Sequence, residues 1–170
     1  MRTHELHCEV LLPRPIEDVF DFFADAANLQ ALTPPWLNFT ITTPTPIDMR
    51  EGTLIDYRLR VRGLPIRWRS RIVRWQPPFK FVDEQIKGPY RLWWHEHEFR
   101  SVPLYGDGLA AQHPAPRSDG NNGAKRLGTL AIDRVRYAVP MDWLTHSLLV
   151  RPDVERIFEY RKQELLRRFA

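Results

Sequence analysis

His95-Glu96-His97 sets two imidazoles two residues apart, a spacing that places both on one face of a β-strand. Such a pair can ligate one metal ion, with a carboxylate such as Asp133 as third donor. The same residues also suit acid–base chemistry. A histidine held by Asp133 would remove or deliver a proton, with Tyr137 or Tyr57 donating to a substrate oxygen. A third reading has no chemistry in it: Asp133, a histidine and Tyr137 satisfy one another as a buried polar network.

The metal reading is the weakest of the three. An isolated His-x-His is a weak signal, and no glutamate and glycine follow at the spacing of a cupin metal motif. No metal and no cofactor is expected. Other chemistries fall away: Ser70, Ser101, Ser118 and Ser147 sit in no nucleophile elbow, and the "GDG" at 106–108 lacks the context of a phosphate loop.

The elements that position these residues follow from periodicity. Leu6, Cys8, Val10 and Leu12 alternate with polar neighbours and read as a first strand ended by Pro13 and Pro15. Pro15 opens a helix with the stripe Ile16, Val19, Phe20 and Phe23, and a second short helix spans roughly Asp25 to Leu32 with Asp25 as N-cap. Strands are expected at about 36–42, 52–62, 65–75, 79–87, 89–101 and 127–139, separated by Pro44/Pro46, Gly63-Leu64-Pro65, Pro77-Pro78 and Gly88-Pro89. Residues 103–125, rich in Pro, Gly, Ala and Asn, read as a flexible loop. A long helix closes the chain, kinked at Pro152 or divided by it into 142–150 and 152–169.

This order, within a single domain over 1–170, predicts an α+β fold whose antiparallel sheet is covered by the terminal helix. The 170 residues are 43% hydrophobic and 12% aromatic, which excludes a disordered chain. The net charge of +4 leaves anionic partners open. No apolar leader and no run of membrane-spanning length is visible, and the single Cys8 requires no oxidising compartment, so a cytoplasmic protein is expected.

The segments "TPPWLNF", "DYRLRVRGLPIRW", "WQPPFKFVDEQIKGPYRLWWHEHEF" and "IDRVRYAVP" resemble the ligand-binding SRPBCC proteins of the START-like superfamily, in a bacterial, polyketide cyclase/dehydrase-like branch. The resemblance covers nearly the whole chain apart from 103–125. It implies a helix-grip fold: a curved antiparallel sheet of about seven strands around the C-terminal helix, with two short helices after strand one and an internal cavity for a hydrophobic small molecule. It also implies that strand 127–139 lies between the first strand and 89–101.

Strand parity then sorts the faces. Burying Glu96 and Glu98 would cost more than burying their neighbours, so Trp93, His95, His97 and Phe99 point inward. The inward set continues with Tyr57, Leu59, Val61, Ile66, Trp68, Ser70, Ile72, Phe81, Asp83, Gln85, Asp133, Val135 and Tyr137. Ile132, Arg134 and Arg136 point outward. Ligand contacts are expected from Tyr57, Trp68, Ser70, Gln85, Trp93, His95, His97, Phe99, Asp133 and Tyr137, with Trp143 and His146 near a cavity mouth. If the site is catalytic, His95, His97, Asp133 and Tyr137 are the candidates, for a cyclase or dehydratase. Binding without catalysis is favoured.

Arg58, Arg60, Arg62, Arg67, Arg69 and Arg71 form a ladder on the outer face. An acidic partner there is the third class of function, not favoured over a solvated face. Nucleic acid ranks lowest, because the aromatics alternate to the opposite side and leave no stacking platform.

Overall fold

The computed structural model describes residues 1–105, 109–110, 126–141 and 149–170. Strand β1 (His4–Leu12) turns its even-numbered residues inward, and Val10 and Leu12 are buried. Helix α1 (Ile16–Ala24) follows Pro15, carries Glu17 and Asp18 in its first turn, and buries Ile16, Val19, Phe20 and Phe23 as predicted. Helix α2 (Asn28–Ala31) is shorter than expected. Asp25 is not its N-cap, which is Ala27; the Asp25 Oδ1 instead accepts the Ala27 N–H at 2.9 Å in the turn before the helix.

A strand over 36–42 is not formed as predicted. Pro34 and Pro35 start a 3-10 turn at Pro35–Leu37, and Asn38 follows in the left-handed region, leaving only β2 (Thr40–Ile41) extended. Strands β3 (Leu54–Val61) and β4 (Leu64–Gln76) are joined by two residues, Arg62 and Gly63, both at positive φ (50° and 82°). This is the geometry whose twist matches a hairpin, so Leu64 and Pro65 begin β4 instead of belonging to the turn. Strands β5 (Lys80–Lys87), β6 (Leu92–Tyr105), β7 (Leu109–Ala110) and β8 (Arg126–Ala138) complete the sheet.

The strands run β2-β3-β4-β5-β6-β8-β1, all antiparallel, with β7 paired to β6 off that path. Strand β8 lies between β1 and β6, as expected. The segment read as a loop from 103 in fact continues β6 to Tyr105 and adds β7; the rest of 111–125 lies outside the described residues.

Helix α3 (Arg151–Phe169) closes the concave face. Pro152 occupies its first turn, where a missing N–H costs nothing, so the expected second segment, 152–169, is formed to within one residue. Residues 142–148, including Trp143 and His146, lie outside the described residues. The buried positions Val154, Phe158, Arg161, Leu165 and Phe169 recur at helical spacing and face the sheet.

The outer face is not a plain solvated surface. Arg69 forks onto Asp56 at 2.7 and 2.8 Å, Arg71 binds Glu84, and Arg62 reaches Asp153 of α3 at 2.8 Å. Across the β3–β4 hairpin Arg58 and Arg67 stand directly opposed as like charges, and Arg69 faces Lys87 of the next strand. Lys80, Arg134 and Arg100 hold Glu96 and Glu98 in a continuous ion network, and Arg136 lies over Trp94. Ile132, outward by parity, is nonetheless buried between register partners Glu9 and Glu98.

Leu165 is 1% exposed and Leu166, its neighbour, 38%. Leu165→Ala should therefore lower unfolding stability by about 2–5 kcal/mol, whereas Leu166→Ala should cost under about 1 kcal/mol. Urea unfolding checks the contrast, with similar losses at both positions contradicting the placement of α3.

Candidate functional site

Helices and concave sheet enclose a cavity of about 200 Å³. Of the ten residues expected to contact a ligand, Tyr57, Trp68, Ser70, Trp93, His95 and His97 line it. The other four do not. Gln85 is locked onto the turn before β6, donating from Nε2 to the Tyr90 carbonyl (2.7 Å) and accepting the Tyr90 N–H at Oε1 (3.2 Å). Phe99 packs edge-on against Phe20 and Phe23. Tyr137 lies behind Tyr90 and Trp93 in a cluster with Val135 and Phe158. Asp133 sits behind the histidines.

The walls are mostly aromatic and aliphatic. Tyr57 stacks on Trp68 (5.8 Å between centroids), Trp68 meets Trp93 edge-on (5.4 Å), and Tyr90 tilts against Trp93 (4.7 Å). Ser70 satisfies two of these rings, accepting Trp68 Nε1–H at 3.0 Å and lying 3.1 Å from the Tyr57 hydroxyl. Burial holds the Tyr57 phenol well above its usual range, so it stays protonated. Beyond the histidines, Phe81 stacks on His97 at 4.1 Å.

Strand β6 sets the polar groups between these aromatics, in the order Trp93, His95, His97, Phe99. The two imidazole centroids are 3.8 Å apart. Asp133 on β8 is in register with His97, and its Oδ1 lies 3.0 Å from His95 Nε2. That oxygen is also 2.7 Å from His97 Nδ1, but off the N–H direction, so this contact is electrostatic and not an aligned hydrogen bond. Asp83 on β5 approaches the opposite nitrogens, its Oδ2 being 3.3 Å from His97 Nε2 and 3.7 Å from His95 Nδ1.

The fifth member comes from α3. Arg161 donates from Nε to Asp133 Oδ2 at 3.1 Å and is 7% exposed. Nothing in the pattern of the strands hints at it. The signal lay in the helix, where Val154, Phe158, Arg161 and Leu165 are spaced 4, 3 and 4 apart, so the arginine falls on the apolar stripe. Asp83 was readable as inward by parity but not as a partner of the histidines.

The buried charges act on one another. Burial alone would raise the Asp133 carboxyl, but Arg161 and the histidines outweigh it and hold it well below the ordinary carboxylate range. Asp83 is lowered in the same way, burial being outweighed by His97 and His95. Burial and the neighbouring His97 push His95 down, while on His97 burial is outweighed by Asp133 and Asp83, which raise it. Two carboxylates thus face the Arg161 guanidinium and two imidazoles, of which His97 is the one whose charged form its neighbours favour.

Taken together, these features define a helix-grip protein with an apolar chamber and one buried ionic wall. The family of polyketide cyclase / dehydrase and lipid transport proteins matches residues 12–166, and the chain belongs to it. Among solved structures, the chain is similar to ginseng major latex-like protein 151 from Panax ginseng, with a TM-score of 0.61, 9% identity, and 99% of this chain and 98% of that one covered. Ara h 8.0201 gives a TM-score of 0.59 at 14% identity over 98% and 99% of the two chains. Protein Ms6760 from Mycobacterium smegmatis gives 0.59 at 14% identity over 95% and 87%. At such identities the likeness concerns the fold. No curated protein matches the sequence. Among the described residues no helix is long and apolar enough to cross a membrane.

Asp133→Asn would leave Arg161 and His97 facing an uncharged amide, and a loss of about 3–5 kcal/mol in urea unfolding is expected. A loss below about 1 kcal/mol would show that the wall is not an ionic unit. The pH dependence has a definite sign. The folded carboxyls of Asp83 and Asp133 lie below the 3.8 of the unfolded chain, so their contribution is fully present above that value and is lost as pH falls from there through the lower folded values. Acid titration of unfolding stability should show this limb, and Asp133→Asn should flatten it.

Proposed function

We propose that the protein binds a small hydrophobic molecule, lipid-, aromatic- or polyketide-like, inside the chamber. The observation that carries this reading is the cavity of about 200 Å³, whose walls are mostly aromatic and aliphatic and whose charged and imidazole groups are gathered at Asp83, His95, His97 and Arg161. Apolar walls supply affinity and a few polar groups fix orientation. The volume is below the ~300–1,000 Å³ of pockets for drug-sized ligands, which favours a compact ring system or short chain. Family membership supports the same class of ligand.

Proton transfer in a cyclisation or dehydration is the second reading, and one observation favours it. His95 lies on the chamber wall as a neutral imidazole whose Nε2 is held by Asp133, the arrangement of a base and its orienting carboxylate.

Calorimetric titration with naphthol, a fused aromatic with one hydroxyl, tests the binding reading. One molecule per chain is expected, with a negative heat-capacity change from buried apolar surface. Leu59→Trp, which fills the chamber from β3, should abolish binding at a stability cost of about 1–3 kcal/mol while leaving the fold intact by circular dichroism. Saturable binding that survives Leu59→Trp would place the ligand elsewhere on the surface, and an absence of binding to the unaltered chain would count against an open chamber.

A further inference from the structure

The ionic wall has more organisation than holding an apolar molecule demands. Asp83, His95 and His97 each offer a donor atom, and these atoms lie within 4.8 Å of one another. Asp83 Oδ2 is 3.3 Å from His97 Nε2 and 3.7 Å from His95 Nδ1. Bonds of about 2.0–2.2 Å around a tetrahedral ion place neighbouring donors about 3.3–3.6 Å apart. Both separations from Asp83 are already close to those of a coordination shell, and closing the set requires the two imidazole donors to converge from within 4.8 Å. We propose that Asp83, His95 and His97 form a site for one divalent first-row transition-metal ion, zinc foremost, on the chamber wall, with Asp133 as the carboxylate that orients both imidazoles.

Three features support the assignment. The first is which nitrogens point where. His95 Nδ1 and His97 Nε2 approach Asp83, while the other nitrogen of each ring, His95 Nε2 and His97 Nδ1, lies 3.0 and 2.7 Å from Asp133 Oδ1. A histidine ligand ordinarily presents its second nitrogen to a carboxylate in this way, which fixes its orientation. The out-of-line contact at His97 Nδ1 is the one that a small ring rotation on metal binding would align. The second is accessibility: the three donors line the cavity and Asp133 does not, so two imidazoles and one carboxylate leave the remaining coordination position facing the chamber. The third is charge. With both imidazoles neutral, Asp83, Asp133 and Arg161 sum to one negative charge, and a divalent ion makes the wall net positive by one. The open position then suits an anionic oxygen, such as a phenolate, enolate or carboxylate, on an otherwise apolar molecule.

Asp133 is not a ligand here, because Arg161 takes its second oxygen and faces it from α3. The proposal does not depend on what fills the apolar part of the chamber. With an ion in place, His95 would spend its Nδ1 lone pair on the metal and could not act as a base from that atom.

The test uses the full chain, stripped with a chelator and titrated with zinc alone by calorimetry. One ion per chain is expected. Asp83→Asn should weaken binding at least ~tenfold, and Asp133→Asn, which removes the orienting carboxylate, by about 10–100-fold. His7→Ala should leave it unchanged, since the exposed His7–Glu9 pair is the competing surface site. Cobalt added to the unaltered chain requires no variant to fold, and should give visible d–d bands of low coordination number that zinc abolishes. The proposal is overturned if the stripped chain takes up no zinc, if Asp83→Asn binds it as tightly as the unaltered chain, or if binding disappears in His7→Ala.

Discussion

The attachment of helix to sheet turns on one buried carboxylate. Asp133 sits near the middle of β8, flanked in register by Cys8 on β1 and His97 on β6. Its two oxygens face different elements, Oδ1 toward the histidines of β6 and Oδ2 toward Arg161 of α3. An ionised carboxylate in such surroundings is costly unless nearly every lone pair is met, and the partners that meet it come from both layers of the fold. Apolar packing along Val154, Phe158 and Leu165 would hold α3 against the sheet in many rotations and shifts. The Arg161–Asp133 pair selects one of them, because a turn of slippage would leave both charges buried and alone. The Arg62–Asp153 pair, exposed and so worth little energetically, ties the β3–β4 hairpin to the other end of the same helix.

That choice of helix position has consequences for the chamber. It brings Phe158 edge-on to His95 at 5.4 Å and sets Arg161 over the ring of Phe23 at 5.1 Å, so the polar wall is framed by apolar groups from three elements. A hydrophobic guest therefore meets apolar surface over most of the wall and the charged and imidazole groups in one place, with uncharged polar side chains such as Asn28, Thr33 and Ser70 elsewhere. Orientation follows from that asymmetry alone. The same low-dielectric surroundings that strengthen the ionic contacts also keep water from competing with a guest's oxygen for them.

The parts of this arrangement that were legible in the sequence are those governed by short periods. Alternation sorted the faces of β6, β8, β3 and β4, because burying Glu96 and Glu98 would cost more than burying the residues between them. Turn chemistry placed the hairpins to within three residues, the error at Arg62-Gly63 arising because an arginine at positive φ is not a turn signal. What parity does not show is which inward residues reach the cavity. Gln85 and Tyr137 point inward yet are taken up by backbone and ring neighbours, and Asp133 is inward but one layer behind. These distinctions depend on sheet curvature and on how close α3 lies, neither of which a strand carries in its own residues. Arg161 was legible in principle, as a charge on an apolar helical stripe, but only where the helix is examined for exceptions to its pattern.

The arginine ladder of β3 and β4 and the aromatic wall of the chamber are two sides of the same alternation. A two-residue turn fixes the register so that Tyr57 meets Trp68 on the concave side while Asp56 meets Arg69 on the convex side. A slip of one residue would carry the arginines into the chamber and the aromatics into solvent. The outer charges thus oppose every one-residue slip, whether or not they meet a partner, since such a pairing buries several of them. Asp56 and Glu84 relieve the resulting repulsion where Arg69 and Arg71 stand, and only the Arg58–Arg67 pair is left opposed across the hairpin. Much of the ladder is accounted for by the needs of the inner face, which is where the binding and metal chemistry proposed for this chain resides.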